Sequence, residues 1–127
     1  MVTPRKKTVL LVDDDDDVRA FLAAVLEAGG FDVLPAEDGE TALRLAEEAP
    51  IDLLLTDIRM PKLDGRELAR RLAAGHPKLR ILFVSGYPGP DADGLDTSRL
   101  IQKPVKAADL IRQVRRALRR RPASAQS

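Results

Sequence analysis

The sequence predicts an α/β domain built on a five-stranded parallel sheet with helices on both faces. Short apolar runs alternate along the chain with segments of helical periodicity, and short turns join them. The runs are apolar throughout instead of alternating with polar residues, which is typical of strands buried on both sides. With 127 residues, 44% of them hydrophobic and 32% charged, the chain suffices for one core but not for two. We therefore expect one domain over residues 1–127, with a core over about 7–120 and a frayed tail at 122–127.

Five runs are candidate strands, at residues 8–12, 31–35, 51–56, 79–84 and 99–102. The run at 31–35 is interrupted by Asp32 and ends at Pro35, which favours a position near an edge of the sheet. The run at 99–102 is the weakest.

Apolar spacing predicts a helix after the first strand. Its buried face is expected to carry Val18, Phe21, Leu22, Val25 and Leu26. Asp16 or Asp17 is a candidate N-cap, and Gly29 with Gly30 is expected to end the helix.

Three further helices follow the same logic. Asp38 is the candidate N-cap of the second helix, and Asp64 with Glu67 resembles a capping box that opens the third, which Gly75 closes. In the last helix, an apolar stripe lies opposite a row of arginines. The expected inward residues are Ala42, Leu43, Leu45 and Ala46 in the second helix, Leu68 and Leu72 in the third, and Leu110, Ile111, Val114 and Leu118 in the last. Residues 87–98 contain prolines, glycines and aspartates but no apolar stripe, so we expect a short or irregular helix there.

Charge is strongly polarised along the chain. Residues 1–64 carry 7 basic and 15 acidic side chains, whereas residues 65–127 carry 14 basic and 5 acidic ones. There is no cysteine, which excludes disulfides, thiolate metal sites and a cysteine nucleophile. No apolar stretch is long enough for a signal peptide or a membrane span, so the expected location is cytoplasmic, with no membrane partner.

Polar side chains follow the predicted strands at the point where each strand ends. Asp13 and Asp14 follow the first strand, Asp57 the third, Ser85 the fourth and Lys103 the fifth. In open α/β sheets, ligands bind beyond the carboxyl ends of the strands. Three neighbouring carboxylates repel one another unless a cation lies among them, and Mg²⁺ suits a few carboxylates together with water and phosphate oxygens. The ammonium and the hydroxyl suit other phosphoryl oxygens, so the pattern indicates phosphoryl transfer onto an aspartate.

These residues fall within four short motifs in a fixed order. They are Val-Asp-Asp at 12–14, Asp-Ile-Arg-Met-Pro with a following Asp-Gly over 57–65, Val-Ser-Gly-Tyr at 84–87 and Lys-Pro at 103–104. Over roughly residues 7–120 the chain resembles the receiver domain of two-component response regulators. The resemblance implies a flavodoxin-like, CheY-like fold with strand order 2-1-3-4-5.

The resemblance also implies a role for each site residue. Asp57 would accept a phosphoryl group from a phosphohistidine on a histidine kinase or histidine phosphotransferase protein. Asp14, Asp57 and the backbone carbonyl of Arg59 would bind Mg²⁺ directly, and Asp13 would act mostly through water. Ser85 and Lys103 would hold phosphoryl oxygens, and the Lys103–Pro104 peptide would be cis. Such a domain promotes its own phosphorylation and dephosphorylation but is not otherwise an enzyme.

Two features depart from the family pattern. The position three residues before Lys103 is often aromatic in the family and is Leu100 here, which puts an aromatic rotamer switch in doubt. The stretch after Ser85 replaces the regular helix of the family between the fourth and fifth strands. Ser-Gly-Tyr followed by such a stretch, with Gln-Lys-Pro after it, resembles receivers attached to hybrid histidine kinases.

Several other functions stay open at this stage. The alternative to a phosphorylated switch is a receiver fold that docks partners without phosphorylation. A small-molecule phosphatase usually needs a second carboxylate two residues after the nucleophile, where this chain has Arg59. A flavin site would need a phosphate-binding loop where this chain has five aspartates at 13–17.

Interactions with macromolecules are less constrained by the sequence. The arginines of the last helix occupy one outer face without an aromatic platform, so we expect no direct nucleic-acid binding. The single histidine, His76, precedes the fourth strand at the opposite edge and is expected to be a loop residue. The sequence leaves a homodimer open.

Overall fold

The protein folds as a single sheet with two helical layers. The computed structural model describes residues 5–86, 90 and 93–120. The strands are β1 (Thr8–Val12), β2 (Asp32–Ala36), β3 (Leu53–Asp57), β4 (Arg80–Ser85) and β5 (Leu100–Gln102). The helices are α1 (Asp16–Ala28), α2 (Gly39–Glu48), α3 (Gly65–Gly75) and α4 (Ala107–Arg119), with a short 3-10 helix at Thr97–Arg99.

All five strands are parallel, in the order β2-β1-β3-β4-β5. This order confirms the predicted fold and places β2 at an edge. Because the chain turns to one side of β1 for β2 and to the other side for β3, the carboxyl ends of β1 and β3 flank the point where the strand order reverses. The predicted strands are correct to within two residues at each end, the largest shift being the start of β3 at Leu53 instead of residue 51.

The core lies on both faces of the sheet because successive strand residues point to opposite sides. Leu10, Val12 and Leu54 pack with α2 and α3, whereas Val9 and Leu11 pack with α1 and α4. Each of these side chains is fully buried. A fully buried Val or Leu is worth roughly 1.5–3 kcal/mol relative to exposure, so the continuous apolar runs are explained by burial alone.

The prediction that Phe21 lies inward is wrong. Leu22 and Leu26 are the fully buried residues of α1, while Phe21 is 48% exposed. The helix face that meets the sheet is narrower than the apolar stripe in the sequence, and Phe21 lies on its flank beside α4. The inward residues predicted for the other three helices are buried or half-buried.

Carboxylates cap the first three helices. Asp15, and not Asp16 or Asp17, caps α1 by accepting from the amides of Asp17 and Val18, since the helix begins at Asp16, one residue earlier than an Asp16 cap would allow. Asp38 caps α2 as predicted. Asp64 accepts from the amide of Glu67, as in a capping box. The Glu67 carboxylate instead pairs with Arg70 and Arg71 one turn further along, so among the described contacts the Glu67 half of the predicted box is missing.

The segment between β4 and β5 is mostly irregular where it is described. Residue 90 is helical, residues 93–96 are turn and irregular structure, and the 3-10 helix follows at Thr97–Arg99. Leu100 opens β5 and packs against the core cluster on the α2 and α3 side. His76 is the C-cap of α3, at the edge remote from the predicted site, as expected. Residues 87–89, 91 and 92 of the stretch expected to be irregular, and the tail expected at 122–127, lie outside the described residues.

Within the described ranges, no helix combines the length and the apolar character needed to cross a membrane.

Candidate functional site

The predicted site residues lie together at the carboxyl edge of the sheet. Asp13 and Asp14 directly follow β1, and Lys103 directly follows β5. Asp57 and Ser85 are the last residues of β3 and β4, one position earlier relative to their strands than the sequence predicted. Parallel register brings Asp57 opposite Val84 and Ser85 opposite Gln102, which aligns these strand ends.

Asp57 is held by two donors at its two carboxylate oxygens. The Lys103 ammonium donates to Oδ2 at 3.0 Å, and the backbone amide of Arg59 donates to Oδ1 at 3.2 Å. The residue is 8% exposed, so one side of the carboxylate is open while the rest is desolvated. The open side leaves a carboxylate oxygen accessible to a phosphodonor, as a nucleophile requires.

Asp13 is the most deeply buried acid of the site, at 1% exposed. Its Oδ1 accepts from the amide of Asp15 at 2.9 Å. Its Oδ2 has the Lys103 ammonium 3.3 Å away but receives no hydrogen bond of good geometry from the part of the chain that the structure describes. Burial raises the pKa of the Asp13 carboxyl above its ordinary value, and the nearby Asp57 charge adds to this, while Asp15 and Lys103 oppose it.

Lys103 is shared between the two acids. Burial disfavours its charged form, but the hydrogen bond to Asp57 and the charges of Asp13 and Asp57 outweigh burial and raise the pKa of the Lys103 ammonium. One ammonium therefore neutralises part of a cluster that contains three carboxylates, and negative charge remains in excess.

The carboxylates fit a divalent cation. Asp13, Asp14 and Asp57 each offer one oxygen, and these oxygens lie within 4.8 Å of one another. Asp14 is exposed, so the cluster has an open side for water or phosphate ligands. The buried Asp13 Oδ2, which lacks a hydrogen bond within the described residues, is the kind of acceptor that a hard cation or a bound water would satisfy.

Ser85 is completely buried at the end of β4. The strand ends around it are tied by backbone hydrogen bonds: the amide of Lys103 donates to the Ser85 carbonyl at 2.8 Å, and the amide of Ile58 donates to the Val84 carbonyl at 3.2 Å. The loops after β3 and β5 are therefore hydrogen-bonded to the end of β4. The Lys103–Pro104 peptide is cis, as the resemblance implied.

Two residues that position Asp57 were not identified as such from the sequence. Thr56 donates its hydroxyl to the Asp57 carbonyl at 2.9 Å. At Gly65, a Cβ atom would lie 2.0 Å from that same carbonyl oxygen, so only glycine lets α3 begin against the backbone of Asp57. The Asp-Gly pair at 64–65 was the sequence signal for this close approach, but sequence alone does not say which backbone the glycine meets.

Comparison with known proteins agrees with this arrangement. The family model for the response regulator receiver domain matches residues 9–115. The response regulator receiver protein CpdR of Brucella abortus is 39% identical over 116 residues, which cover 88% of this chain and 97% of CpdR. The crystal structure of the receiver domain from the hybrid histidine kinase CckA is 36% identical, with a TM-score of 0.76, and the match covers 88% of this chain and 99% of that one.

A CheY-like receiver domain protein from Methanospirillum hungatei is similar in fold, with a TM-score of 0.80 at 28% identity over 90% of this chain and 94% of that one. The range matched by the family model includes Asp13, Asp14, Asp57, Ser85 and Lys103. The chain therefore belongs to the response regulator receiver domain family of two-component signalling proteins.

Proposed function

We propose that Asp57 is the phosphoacceptor of this receiver domain and takes its phosphoryl group from a phosphohistidine on a histidine kinase or histidine phosphotransferase protein. The observation that carries the proposal is the Asp57 carboxylate at the end of β3, with the Lys103 ammonium 3.0 Å from Oδ2 and two further carboxylates beside it. Asp13 shares the burial, the lysine neighbour and the acidic surroundings, but at 1% exposed it is less accessible to a phosphodonor than Asp57 at 8%.

The transfer is a substitution at phosphorus. A carboxylate oxygen of Asp57 forms the new P–O bond while the P–N bond to the donor imidazole breaks, and the imidazole keeps the electron pair and takes up a proton. Oδ1 accepts from the backbone amide of Arg59, and Oδ2 accepts from the side-chain ammonium of Lys103. A lysine side chain can move to a phosphoryl oxygen, whereas a backbone amide is fixed by the chain. We therefore infer that Oδ2 is the attacking oxygen and that Lys103 moves from it to the phosphoryl group.

Mg²⁺ would be held by Asp14, Asp57 and the Arg59 carbonyl, with Asp13 acting through water, and when bound it supplies charge neutralisation for the phosphoryl oxygens. Lys103 neutralises a further oxygen, and the Ser85 hydroxyl would hydrogen-bond another. The same groups would promote loss of the phosphoryl group to water, so the domain takes part in both halves of its own cycle.

The consequence of transfer would be a change in partner affinity. A phosphoryl group adds charge and acceptor oxygens at Asp57, and it would draw Ser85 and Lys103 toward it. Backbone bonds connect these residues to the ends of β4 and β5, so the loops that follow those strands would move with them. We place the protein in the cytoplasm with its phosphodonor.

The experiment is labelling with acetyl phosphate in Mg²⁺, followed by intact-mass measurement. Wild type should gain one phosphoryl group, and Asp57→Asn should gain none. Asp17→Asn is the matched control, because Asp17 is an exposed acid close to the site and should label as wild type does. Equal labelling of Asp57→Asn and wild type would refute the assignment, and a folded wild-type protein that takes no label would be a docking module instead.

A further inference from the structure

Arg66 connects two chain segments that leave the phosphorylation site. It is the second residue of α3, and its guanidinium Nη1 donates to the backbone carbonyl of Asp93 at 2.7 Å. Asp93 lies in the connection between β4 and β5. Because β3 ends at Asp57 and β4 ends at Ser85, the bond joins the two connections that begin at the site.

The α3 end of this bond is fixed relative to Asp57. The amide of Gly65 donates to the Ile58 carbonyl at 2.8 Å, and the missing Cβ of Gly65 lets α3 begin against the Asp57 backbone. Arg66 occupies the next position of the chain. With Ile58 and Pro90 it borders a cleft of about 590 Å³, which is lined by residues that follow β3 and β4. The contact to Asp93 is therefore anchored to the backbone that carries the acceptor.

The guanidinium of Arg66 is committed to this backbone contact. No acid among the described residues pairs with it, since the neighbouring Glu67 carboxylate binds Arg70 and Arg71. On the acceptor side, Gly94 has a φ of 76°, and a Cβ atom there would lie 3.2 Å from Arg66 Nη2. Glycine at this position thus allows the backbone to approach the guanidinium closely. A charged donor strengthens the hydrogen bond, although its exposure to water keeps its net contribution modest.

The bond is made in the conformation that has no phosphoryl group. The Lys103 ammonium donates to Asp57 Oδ2 at 3.0 Å, and in the proposed function it leaves this oxygen for the phosphoryl group. Ser85 would move in the same direction. The chain runs from Asp93 through the 3-10 helix and β5 to Lys103, so Asp93 belongs to the connection whose two ends shift. Arg66 belongs to α3, outside that connection, and restrains it at one point.

We propose that Arg66 is a positioning residue that favours the unphosphorylated conformation by holding Asp93 against α3. A contact made in one of two conformations opposes the change to the other by its own free energy, so its removal shifts the population toward the phosphorylated conformation. The inference rests on Asp57 being the phosphoacceptor. It adds a restraint, specific to this chain's connection between β4 and β5, that sets how readily the domain switches.

The test titrates beryllium fluoride, a mimic of the phosphoryl group, into the ¹⁵N-labelled full chain in Mg²⁺. Arg66→Met keeps an unbranched apolar stem, has a similar helix propensity and removes the donors. The variant should bind beryllium fluoride roughly three- to tenfold more tightly than wild type, because the lost hydrogen bond is a modest one. Arg66→Lys keeps a cationic donor, and its affinity should fall between the two.

A second readout separates this restraint from a purely structural role. Without beryllium fluoride, the amide resonances of residues 93–102 in Arg66→Met should be displaced from their wild-type positions toward those of wild type with the mimic bound, because the variant populates the same second conformation. The urea midpoint should stay close to that of wild type, since Arg66 is exposed. A residue that only supports the fold would instead lower the midpoint and weaken binding.

The matched control is Arg70→Met, the same change at an exposed arginine one turn further along α3, whose partner is Glu67. It should bind beryllium fluoride as wild type does. Binding by Arg66→Met that is equal to or weaker than that of wild type would overturn the restraint and leave the assignment of Asp57 intact. A folded wild-type protein that binds no beryllium fluoride and takes no label from acetyl phosphate would overturn both, so the two failures can be told apart.

Discussion

Asp13→Asn should make the protein more stable without metal and less responsive to Mg²⁺. At an effective dielectric constant of about 20, the Lys103 ammonium at 3.3 Å offers the Asp13 carboxylate about 5 kcal/mol, and repulsion from Asp57 at up to 4.8 Å removes about 3.5 kcal/mol. Desolvation of a carboxylate that is 1% exposed costs several kcal/mol, so the ionised Asp13 side chain lowers the free energy of unfolding. The raised pKa of Asp13 agrees with this, because it also means that the folded protein disfavours the ionised carboxylate.

An asparagine keeps the acceptor that Asp15 uses and removes the charge. We expect the variant to gain about 1 kcal/mol of unfolding free energy in EDTA, or roughly 4 °C in Tm for a domain of this size. In wild type, Mg²⁺ at about ten times its dissociation constant should add about 1.4 kcal/mol, and the variant should lose most of that gain. Urea unfolding with and without Mg²⁺ measures both quantities.

The control for this experiment is Asp32→Asn, the same change at an exposed position that opens β2 at the opposite edge of the sheet. It should alter stability by no more than about 0.5 kcal/mol and leave the Mg²⁺ response intact. An Asp13→Asn protein that is less stable than wild type in EDTA, or that gains as much from Mg²⁺, would show that the acidic cluster is not a strained cation site.

Three further changes test the scaffold and the switch. Asp38→Ala removes an N-cap and should cost about 1 kcal/mol at neutral pH. The hydrogen bond from the Thr41 amide lowers the pKa of Asp38 in the folded state, so this stabilisation is present above the ordinary pKa of 3.8 and is lost as the pH falls through the lowered pKa. The difference in urea midpoint between the variant and wild type should therefore disappear in acid. Gly65→Ala should destabilise by about 1–3 kcal/mol and slow acetyl phosphate labelling, whereas Gly75→Ala, where a Cβ would meet nothing within 4 Å, should do neither. Lys103→Ala should remain folded by circular dichroism but show no phosphorylation-dependent amide shifts at the ends of β4 and β5, and wild-type shifts in that variant would contradict the proposed relay.

Local pattern was sufficient for most of the fold. The strands are continuous apolar runs because both faces of the sheet are covered, and the helix ends follow from Asp38, Asp64 and Gly29, whose side chains or backbones act within a few residues. The prediction failed where two elements compete for one side chain. Whether Phe21 is inward depends on how closely α4 approaches α1, which is a distance that the spacing within α1 does not encode.

The same distinction between local pattern and contacts between elements applies to the site. Strand ends alone predicted that Asp13, Asp57 and Lys103 converge, because parallel strands end at one edge. The unequal environments of the acids could not be predicted: Asp13 and Asp14 are adjacent in sequence, yet one is buried and the other exposed. Which acid carries the cost of desolvation follows from the turn that leads into α1, where Asp15 takes the capping position.

The negative charges of the first half of the chain and the positive charges of the second half lie in different parts of the fold. The acids at the carboxyl edge are held close by the sheet and are stabilised in part by Lys103, so their excess negative charge favours a divalent cation at the place where a phosphoryl group would arrive. The arginines of α4 are not part of this balance, since Arg112, Arg115 and Arg119 are exposed and none pairs with an acid of the described cluster. Neutralising Arg115 and Arg119 should therefore leave Mg²⁺ affinity and labelling at Asp57 unchanged.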